Sequence, residues 1–170
     1  AYNGPSLVPG KYGSAIAFTA ANQFFSAPST LPDTLGQSDM TYSFWCCGPP
    51  PTTPRYLTPW YGDAAHYLEF TFQTGGLLVS RVRGGGTTHS MNSGVIVSDD
   101  KWHHIAVTRT YVSSSNSTFV LYIDGEQRET ISPTDVDNIA LGAAALNFGH
   151  PWGTSPLFSF DEISAWNRTL

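Results

Sequence analysis

Along most of this chain, apolar and polar side chains alternate with a period of two, and turn residues interrupt the alternation at regular intervals. In residues 66–73, for example, Leu68, Phe70 and Phe72 occupy every second position and alternate with more polar side chains. This alternation puts the two sets of side chains on opposite faces of an extended strand. It predicts a half-buried β-strand here, and its repetition along the chain predicts an all-β protein.

The order of strands and turns suggests how the chain is folded. Asp124-Gly125 predicts a two-residue hairpin turn, because both residues tolerate positive φ. Residues 41–47 have bulky side chains on both faces, which predicts a central strand, whereas residues 135–141 have room for one short helical turn. About ten short strands in one domain predict an antiparallel β-sandwich or jelly roll. The predicted strands are residues 14–18, 41–47, 66–73, 77–83, 103–110, 118–123, 126–131, 145–148 and 157–166.

The composition limits both the class of protein and the class of partner. Only 12% of the 170 residues are charged and 14% are aromatic, which is typical of a turn-rich β domain rather than of a disordered chain. This length predicts a single domain over residues 1–170. The net charge of -5 and the scattered basic residues argue against a nucleic-acid-binding surface. No apolar stretch approaches the ~20 residues that cross a bilayer, so no membrane span is predicted.

Six short segments occur in a fixed order along the chain, namely residues 10–18, 42–45, 102–108, 122–125, 161–163 and 166–168. Together they resemble the laminin-G-like, concanavalin A-type jelly rolls, a superfamily that includes pentraxins and many extracellular recognition modules. The resemblance implies an antiparallel β-sandwich, an extracellular location, and non-catalytic recognition or adhesion with a glycan or protein as ligand. Ser159 stands where the family usually has glycine, and the family usually continues beyond the position of Leu170.

A structural role is the alternative hypothesis. The chain would then be a glycosylated subunit or repeat of an extracellular filament, coat or matrix, with copies of itself as partners. A jelly roll without the segment that usually follows Leu170 would leave an unpaired strand edge, which a neighbouring copy could complete. The low content of charged residues and the adjacent pair Cys46-Cys47 agree with this hypothesis.

Paired carboxylates are the first candidates for catalysis, because glucanases share the fold that the resemblance implies. A retaining glycosidase needs two carboxyl groups ~5 Å apart in one cleft. Asp161 and Glu162 are adjacent, so they point to opposite faces of a regular strand, and Glu69 has no second acid two residues away. His103 and His104 diverge in the same way and are interpreted as a structural pair. The sequence therefore predicts that the protein is not an enzyme.

Calcium is the one cofactor that the resemblance suggests, since many relatives bind it through loop carboxylates and carbonyls. The candidate ligands are acids in or beside predicted loops, chiefly Asp99, Asp100 and Asp161, with Asp135 and Asp137 as further candidates. A calcium site requires several oxygens that converge at roughly 2.3–2.6 Å. Turn and capping roles are the alternative for the same side chains.

Two predicted aromatic loops are the best candidates for ligand contact. One contains Trp60, Tyr61 and Asp63, and the other contains His150 and Trp152. An exposed indole can stack on a sugar ring while a neighbouring Asp or His bonds the hydroxyl groups. The alternative is that both indoles fold down as lids over the ends of the sandwich, because Trp is buried on average.

The two cysteines, Cys46 and Cys47, are adjacent, which leaves three states open. They are free and buried, joined to each other in a strained ring, or bonded to another chain.

Asn116 and Asn167 each begin an N-glycosylation sequon, and Asn116 lies in a serine-rich predicted hairpin loop. Both are predicted glycan sites if the chain is secreted from a eukaryotic cell.

Overall fold

In the computed structural model of the protein, the residues described are 4–28, 37–139, 145–149 and 154–170, with the side chains of 25–28, 60–63 and 145–147 outside the description. These residues form thirteen strands and no helix. None of their segments is a helix long and apolar enough to cross a membrane. The strands are β1 (Ser6–Pro9), β2 (Ser14–Ala17), β3 (Phe24–Pro28), β4 (Met40–Cys47), β5 (Arg55–Asp63), β6 (His66–Phe72), β7 (Leu77–Gly84), β8 (His89–Ile96), β9 (His103–Tyr111), β10 (Ser117–Ile123), β11 (Glu126–Ile131), β12 (Ala145–Gly149) and β13 (Ser159–Trp166).

The strands form two antiparallel layers, as a jelly-roll sandwich requires. The first layer is a seven-stranded sheet in the order β1-β2-β13-β4-β9-β10-β11. The second layer contains the four-stranded sheet β5-β6-β7-β8, and β12 of the pair β12-β3 lies alongside β5. The predicted all-β sandwich is therefore confirmed, and β4 is the central strand of the larger sheet.

An aromatic core joins the two layers. Tyr42 and Phe44 of β4 point inward and are completely buried, as is Phe70 on β6 of the opposite layer. The rings of Phe44 and Phe70 meet edge to face with centroids 5.1 Å apart, and Tyr42 stacks on Phe70 at 5.8 Å. Large aromatic side chains of this kind bury the most apolar area per residue, so they dominate the energy of the core.

One charged side chain lies inside this core. The guanidinium of Arg109 on β9 is completely buried and donates to Ser117 Oγ at 2.8 Å and to the carbonyl of Asp137 at 2.6 Å. Burial lowers the pKa of Arg109 to about 10, so the group remains charged at neutral pH. The hydrogen bonds attach the segment around Val136 to β9, and Val136 forms an isolated bridge with Gly85. The predicted helical turn is therefore wrong over residues 135–139, because tertiary contacts keep this segment extended; residues 140 and 141 lie outside the description.

The hairpin prediction at Asp124-Gly125 is confirmed. The two residues have φ values of 54° and 81°, and the turn joins β10 to β11, which pair with each other. On its other side, β10 pairs with β9. The turn is also attached to β9, because Asp124 Oδ1 accepts the His104 N–H at 2.8 Å. A side-chain acceptor at a turn fixes its position as well as its shape.

Four strands of the structure were not predicted from the sequence. β5 includes Pro59, which lies in the segment that was expected to be an aromatic loop. A register shift between Leu57 and Trp60 accommodates this residue, which cannot donate a ladder hydrogen bond. β8 has few bulky residues, and Ser93 Oγ replaces a ladder acceptor by accepting from the N–H of Leu78 at 3.0 Å. β1 and β3 are the other two strands that the alternation did not predict.

The last strand does not form a sheet edge. β13 lies between β2 and β4, although its pairing with β2 covers only Ser159 and Phe160. The edges of the larger sheet are β1 and β11. Beyond Ser159 and Phe160, the side of β13 that faces β2 has no strand partner among the described residues, and its completion by a neighbouring copy stays a prediction.

Candidate functional site

A groove crosses the outer face of the seven-stranded sheet, and its floor consists of four small side chains. Thr41 and Ser43 of β4 pair with Thr108 and Ala106 of β9, so the four residues form one patch. They point away from the core, yet they are only 3%, 5%, 4% and 8% exposed, respectively. Small residues on an outer face are shielded in this way only if taller neighbours surround them.

Those neighbours form the walls of the groove. Tyr122 of β10 pairs with Ala106, and Trp166 of β13 pairs with Thr41, so the two aromatic residues flank the floor from opposite sides. His104, Gly125 and Leu170 complete the lining, and the groove has a volume of about 240 Å³. The groove is therefore a consequence of register: small residues on two central strands lie between large residues on their neighbours.

The floor hydroxyls fall into two classes. Thr41 Oγ1 donates to the carbonyl of Arg168 at 2.8 Å and accepts the N–H of Leu170 at 3.1 Å, which holds this segment against the end of the groove. The hydroxyls of Ser43 and Thr108 have no hydrogen-bond partner among the residues that the structure describes. Both residues line the groove, so their hydroxyls are available to hydrogen-bond a ligand or water there.

An aromatic cluster extends the groove along the sheet. The ring of His104 packs against Trp45 with centroids 5.2 Å apart. Trp45 also meets the edge of Tyr12 at 6.1 Å, and the Lys11 ammonium lies 4.8 Å from the centre of the Trp45 ring. Burial lowers the pKa of His104 below its usual value despite the opposing influence of Asp124, so the imidazole is neutral at physiological pH.

Asp161 positions this cluster. Its side chain accepts the N–H of Tyr12 at 2.8 Å and the N–H of Glu162 at 2.9 Å, and the residue is only 6% exposed. Glu162 has a φ of 47°, and the pairing of β13 shifts register between Asp161 and Ser164. The bulge interrupts strict strand alternation, and both acids border a second depression of about 300 Å³. Asp161 is buried and Glu162 is exposed, and the expectation that they face opposite sides stays a prediction.

The three main calcium candidates have separate local partners. Asp99 accepts from Lys101 Nζ at 2.9 Å and from the His103 ring at 3.0 Å, and these hydrogen bonds lower the pKa of Asp99 to about 2. Asp100 has a φ of 62° in a turn, and Asp161 binds the backbone of Tyr12. Within the described ranges, no three His, Cys, Asp or Glu side chains are grouped as a metal site would require. Calcium binding stays a prediction.

His103 and His104 have different surroundings, as the divergence argument expected. The ring of His103 lies between two carboxylates, with Nδ1 at 2.7 Å from Asp124 and Nε2 at 3.0 Å from Asp99. Burial alone would lower the pKa of His103, but the hydrogen bonds to Asp124 and Asp99 outweigh it and raise the pKa. His104 instead lines the groove, which its interpretation as part of a structural pair did not include.

The predicted aromatic loops are not the site that the described residues form. Trp60, Tyr61 and Asp63 lie in strand β5, so the loop expected there is wrong, and the positions of their side chains are outside the description. His150 and Trp152 lie outside the described residues altogether. Their role in ligand contact stays a prediction.

The cysteines and sequons have the following places. Cys46 is buried and Cys47 is half-buried, and the two are not bonded to each other; a bond to another chain stays a prediction. Burial raises the pKa of the Cys46 thiol far above its usual range, which makes it unreactive.

Asn116 is exposed between β9 and β10, and Asn167 is exposed after β13. Glycosylation at both stays a prediction.

The sequence contained a signal for the groove that was not used. Thr41, Ser43, Ala106 and Thr108 alternate with large apolar residues in two predicted strands. Small outward residues on adjacent central strands indicate a depression between bulkier neighbours. Only the pairing of β4 with β9 shows that the two runs are adjacent.

Comparison with solved structures supports the fold. The mouse laminin α1 chain, domains LG4-5, aligns with a TM-score of 0.66 and 15% identity over 99% of this chain, but over only 44% of the laminin chain. Domain 4 of an extracellular arabinanase from Geobacillus stearothermophilus, in complex with arabinotriose, aligns with a TM-score of 0.70 and 19% identity over 98% of this chain and 76% of that chain. A carbohydrate-binding module of a Ruminococcus gnavus sialidase, bound to α2,3-sialyllactose, aligns with a TM-score of 0.64 and 11% identity over 92% of this chain and 90% of that chain.

Sequence comparisons agree with the structural ones at the level of the family. No match was found among curated proteins. A laminin-G family model, described as the concanavalin A-like lectin/glucanases superfamily, matches residues 19–170. The resemblance noted in the sequence, the jelly-roll topology and this match agree, and the chain belongs to the concanavalin A-like lectin/glucanase superfamily.

Proposed function

We propose that this protein is a non-catalytic carbohydrate-binding module that acts outside the cell, in recognition or adhesion, and holds a sugar in the groove on its outer sheet face. The observation that carries the proposal is the pair of hydroxyls of Ser43 and Thr108, which line the groove between the walls of Trp166 and Tyr122 and have no hydrogen-bond partner among the described residues. A sugar ring offers hydroxyl groups to such a floor and an apolar face to such walls.

The size of the groove sets the expected mode of binding. Its volume of about 240 Å³ is below the roughly 300–1,000 Å³ of pockets that enclose a drug-sized ligand. One ring of an oligosaccharide fits the groove, while the rest of the ligand lies along the sheet. Few buried contacts predict a weak affinity, with a Kd in the range of about 0.1–1 mM.

The composition of the groove supports binding without catalysis. Among the described residues that line it there is no Asp or Glu, whereas glycoside hydrolysis by most families uses two carboxyl groups that flank the scissile bond. Among the same residues, His104 is the general-base candidate, but its ring packs against Trp45, and neither Ser43 nor Thr108 hydrogen-bonds to it.

Related structures support the ligand class and the compartment. The arabinanase domain and the sialidase module carry bound oligosaccharides, and the arabinanase is described as extracellular. The exposed sequon at Asn116 agrees with secretion. Calcium, through the candidate acids named above, is proposed as a supporting ion and not as the group that contacts the sugar.

The experiment is a glycan array probed with the labelled protein and repeated with a calcium chelator. Ser43→Ala and Thr108→Val remove one floor hydroxyl each without adding bulk to the groove. Each is expected to reduce affinity about 3–10-fold, because a lost sugar hydrogen bond costs about 1 kcal/mol. Thr130→Val, on the exposed side of β11, is the matched control and should bind like the parent. An array without any signal, with and without calcium, would contradict the proposal.

A second candidate function is that of a structural subunit, and one observation favours it. The edge strand β1 exposes 77% of Leu7, and an exposed apolar edge can pair with another chain. Light scattering after size-exclusion chromatography tests this: concentration-dependent oligomers that Leu7→Lys dissolves would support the structural role. A monomer at all concentrations would exclude self-assembly of this chain.

A further inference from the structure

We infer that the groove selects uncharged sugars and discriminates against acidic ones such as sialic and uronic acids. The inference rests on the proposed function, and it adds the chemical class of the ligand. It depends on which charges line the groove, which charges lie beside it, and how the floor hydroxyls are buried.

The lining itself carries no fixed charge. It consists of small hydroxyl and methyl side chains, two aromatic residues, a glycine, a leucine and His104. His104 is half-buried against Trp45 and is neutral at physiological pH. A sugar carboxylate placed on this floor would lose part of its hydration without gaining a cationic partner, which is costly.

The charge that is fixed at the rim of the groove is negative. Asp124 precedes the lining residue Gly125, and its carboxylate is held in place by the N–H of His104 at 2.8 Å and by the ring of His103 at 2.7 Å. The Asp124 side chain is 44% exposed, so its field reaches solvent at the mouth of the groove. An anionic ligand would meet a like charge there.

Two cationic residues near the groove, Lys11 and Arg168, are not among the residues that line it. The Lys11 ammonium lies over the ring of Trp45, 4.8 Å from its centre, and Trp45 is outside the lining. Arg168 is exposed and is not among the lining residues, and its backbone carbonyl accepts from Thr41 Oγ1 at 2.8 Å. A carboxylate in the groove would have neither of these cations as a partner in the lining.

The floor hydroxyls match an uncharged ligand. Ser43 and Thr108 are 5% and 4% exposed, and their hydroxyls lack a partner within the described part of the chain. Each hydroxyl both donates and accepts, as a sugar hydroxyl does. A carboxylate only accepts, so it would satisfy the donors of the floor and leave the acceptors unpaired.

The test compares neutral and acidic oligosaccharides by isothermal titration calorimetry and by chemical shifts of groove residues. The neutral probes are arabinotriose, cellotriose and lactose, and the acidic probes are 3′-sialyllactose and trigalacturonic acid. We expect at least one neutral probe to bind and to shift Ser43 and Thr108. We expect the acidic probes to bind at least about fivefold more weakly than the best neutral probe. Lactose and 3′-sialyllactose differ by a single anionic residue, so they report the effect of charge most directly.

A variant that adds a cation sharpens the test. Leu170 lines the groove and is 58% exposed, so Leu170→Lys adds a charge without disturbing the core. Because Leu170 is part of the lining, the readout is relative: the variant should raise the affinity for the acidic probes, relative to that for the neutral probes, by up to about fivefold, as an exposed ion pair allows. Leu157→Lys, at a residue that is 40% exposed and outside the lining, is the matched control and should change neither.

The possible failures are distinguishable. Acidic probes that bind more tightly than every neutral probe, with shifts at Ser43 and Thr108, would overturn this inference and leave the proposed function standing. Binding by neither class, in a protein that remains folded, would overturn the proposed function and this inference with it.

Discussion

The two faces of the central strand β4 follow the same alternation but have different roles, one in the core and the other in the groove. On β4, Tyr42 and Phe44 point inward while Thr41 and Ser43 point outward, and all four are at least 95% buried. The inward residues are buried because the second layer packs on them, with Phe44 and Phe70 only 5.1 Å apart. The outward residues are shielded by taller walls and leave a space of about 240 Å³. Burial by itself therefore does not distinguish a core from a binding site; what distinguishes them is whether the space is filled.

The largest expected effect is a loss of stability when a residue of the inner face is replaced. Phe44→Ala should lower the free energy of unfolding by about 3–5 kcal/mol, because it leaves a cavity in a packed core. Ser43→Ala, the next residue along the strand and on the other face, should change it by less than about 0.5 kcal/mol. Urea denaturation measures both. Equal losses for the two variants would show that the outer face is packed like the core.

A second comparison is between the buried Arg109 and the exposed Arg128. Arg109→Met keeps the length of the side chain but removes the donors to Ser117 Oγ and the Asp137 carbonyl. Two buried acceptors without partners should cost about 2–3 kcal/mol. Arg128→Met removes an ion pair with the exposed Glu126 and should cost less than about 1 kcal/mol. The difference between the two midpoints in urea tests whether Arg109 holds the segment around Val136, and similar midpoints would argue against that role.

On the outer face, the expected effect is on binding and not on stability. Trp166→Ala removes one wall of the groove, so it should weaken sugar binding about tenfold, equivalent to about 1.4 kcal/mol, with an unfolding free energy within about 1 kcal/mol of the parent. Leu157→Ala, outside the groove, is the control and should leave the affinity unchanged. Calorimetric titration with the best neutral sugar measures the loss. Unchanged binding in Trp166→Ala would move the site away from this groove.

The smallest expected effect is on the pH dependence of stability, which should differ between the adjacent residues His103 and His104. The pKa of His103 is raised in the folded protein, so its stabilisation is present below the unfolded value and is lost as the pH rises through the folded one. The pKa of His104 is lowered, so its contribution is present above the unfolded value and is lost as the pH falls through the folded one. The pKa of Asp99 is lowered to about 2, which keeps this partner of His103 ionised above about pH 4.

Melting temperatures between pH 5 and pH 8.5 test this contrast. The difference between the parent and His103→Gln should be largest near pH 5–6 and should shrink towards pH 8. The difference for His104→Gln should change in the opposite direction. Parallel curves for the two variants would mean that the hydrogen bonds of His103 to Asp99 and Asp124 do not persist in solution.

Most of the fold could be predicted because its signals are local. Alternation in residues 66–72 and the positive φ that Asp124-Gly125 tolerates act over a few residues, and the corresponding strands and turn are present. Strands β5 and β8 were missed because Pro59 and Ser93 carry loop signals that a bulge and a side-chain hydrogen bond override. The groove was missed because its floor comes from strands that are distant in the sequence.

By itself, the sequence determined which residues turn inward and where the main hairpin lies, since these depend on side-chain period and on local backbone preference. The family was indicated separately, by the resemblance of six short segments. Only the tertiary structure decided that Thr41 lies beside Thr108, that Trp166 and Tyr122 stand on either side of them, and that Arg109 is buried. Those facts depend on register between distant strands, and register is set by the packing of the whole sandwich. The groove is therefore a property of the assembled sheet and not of any one segment.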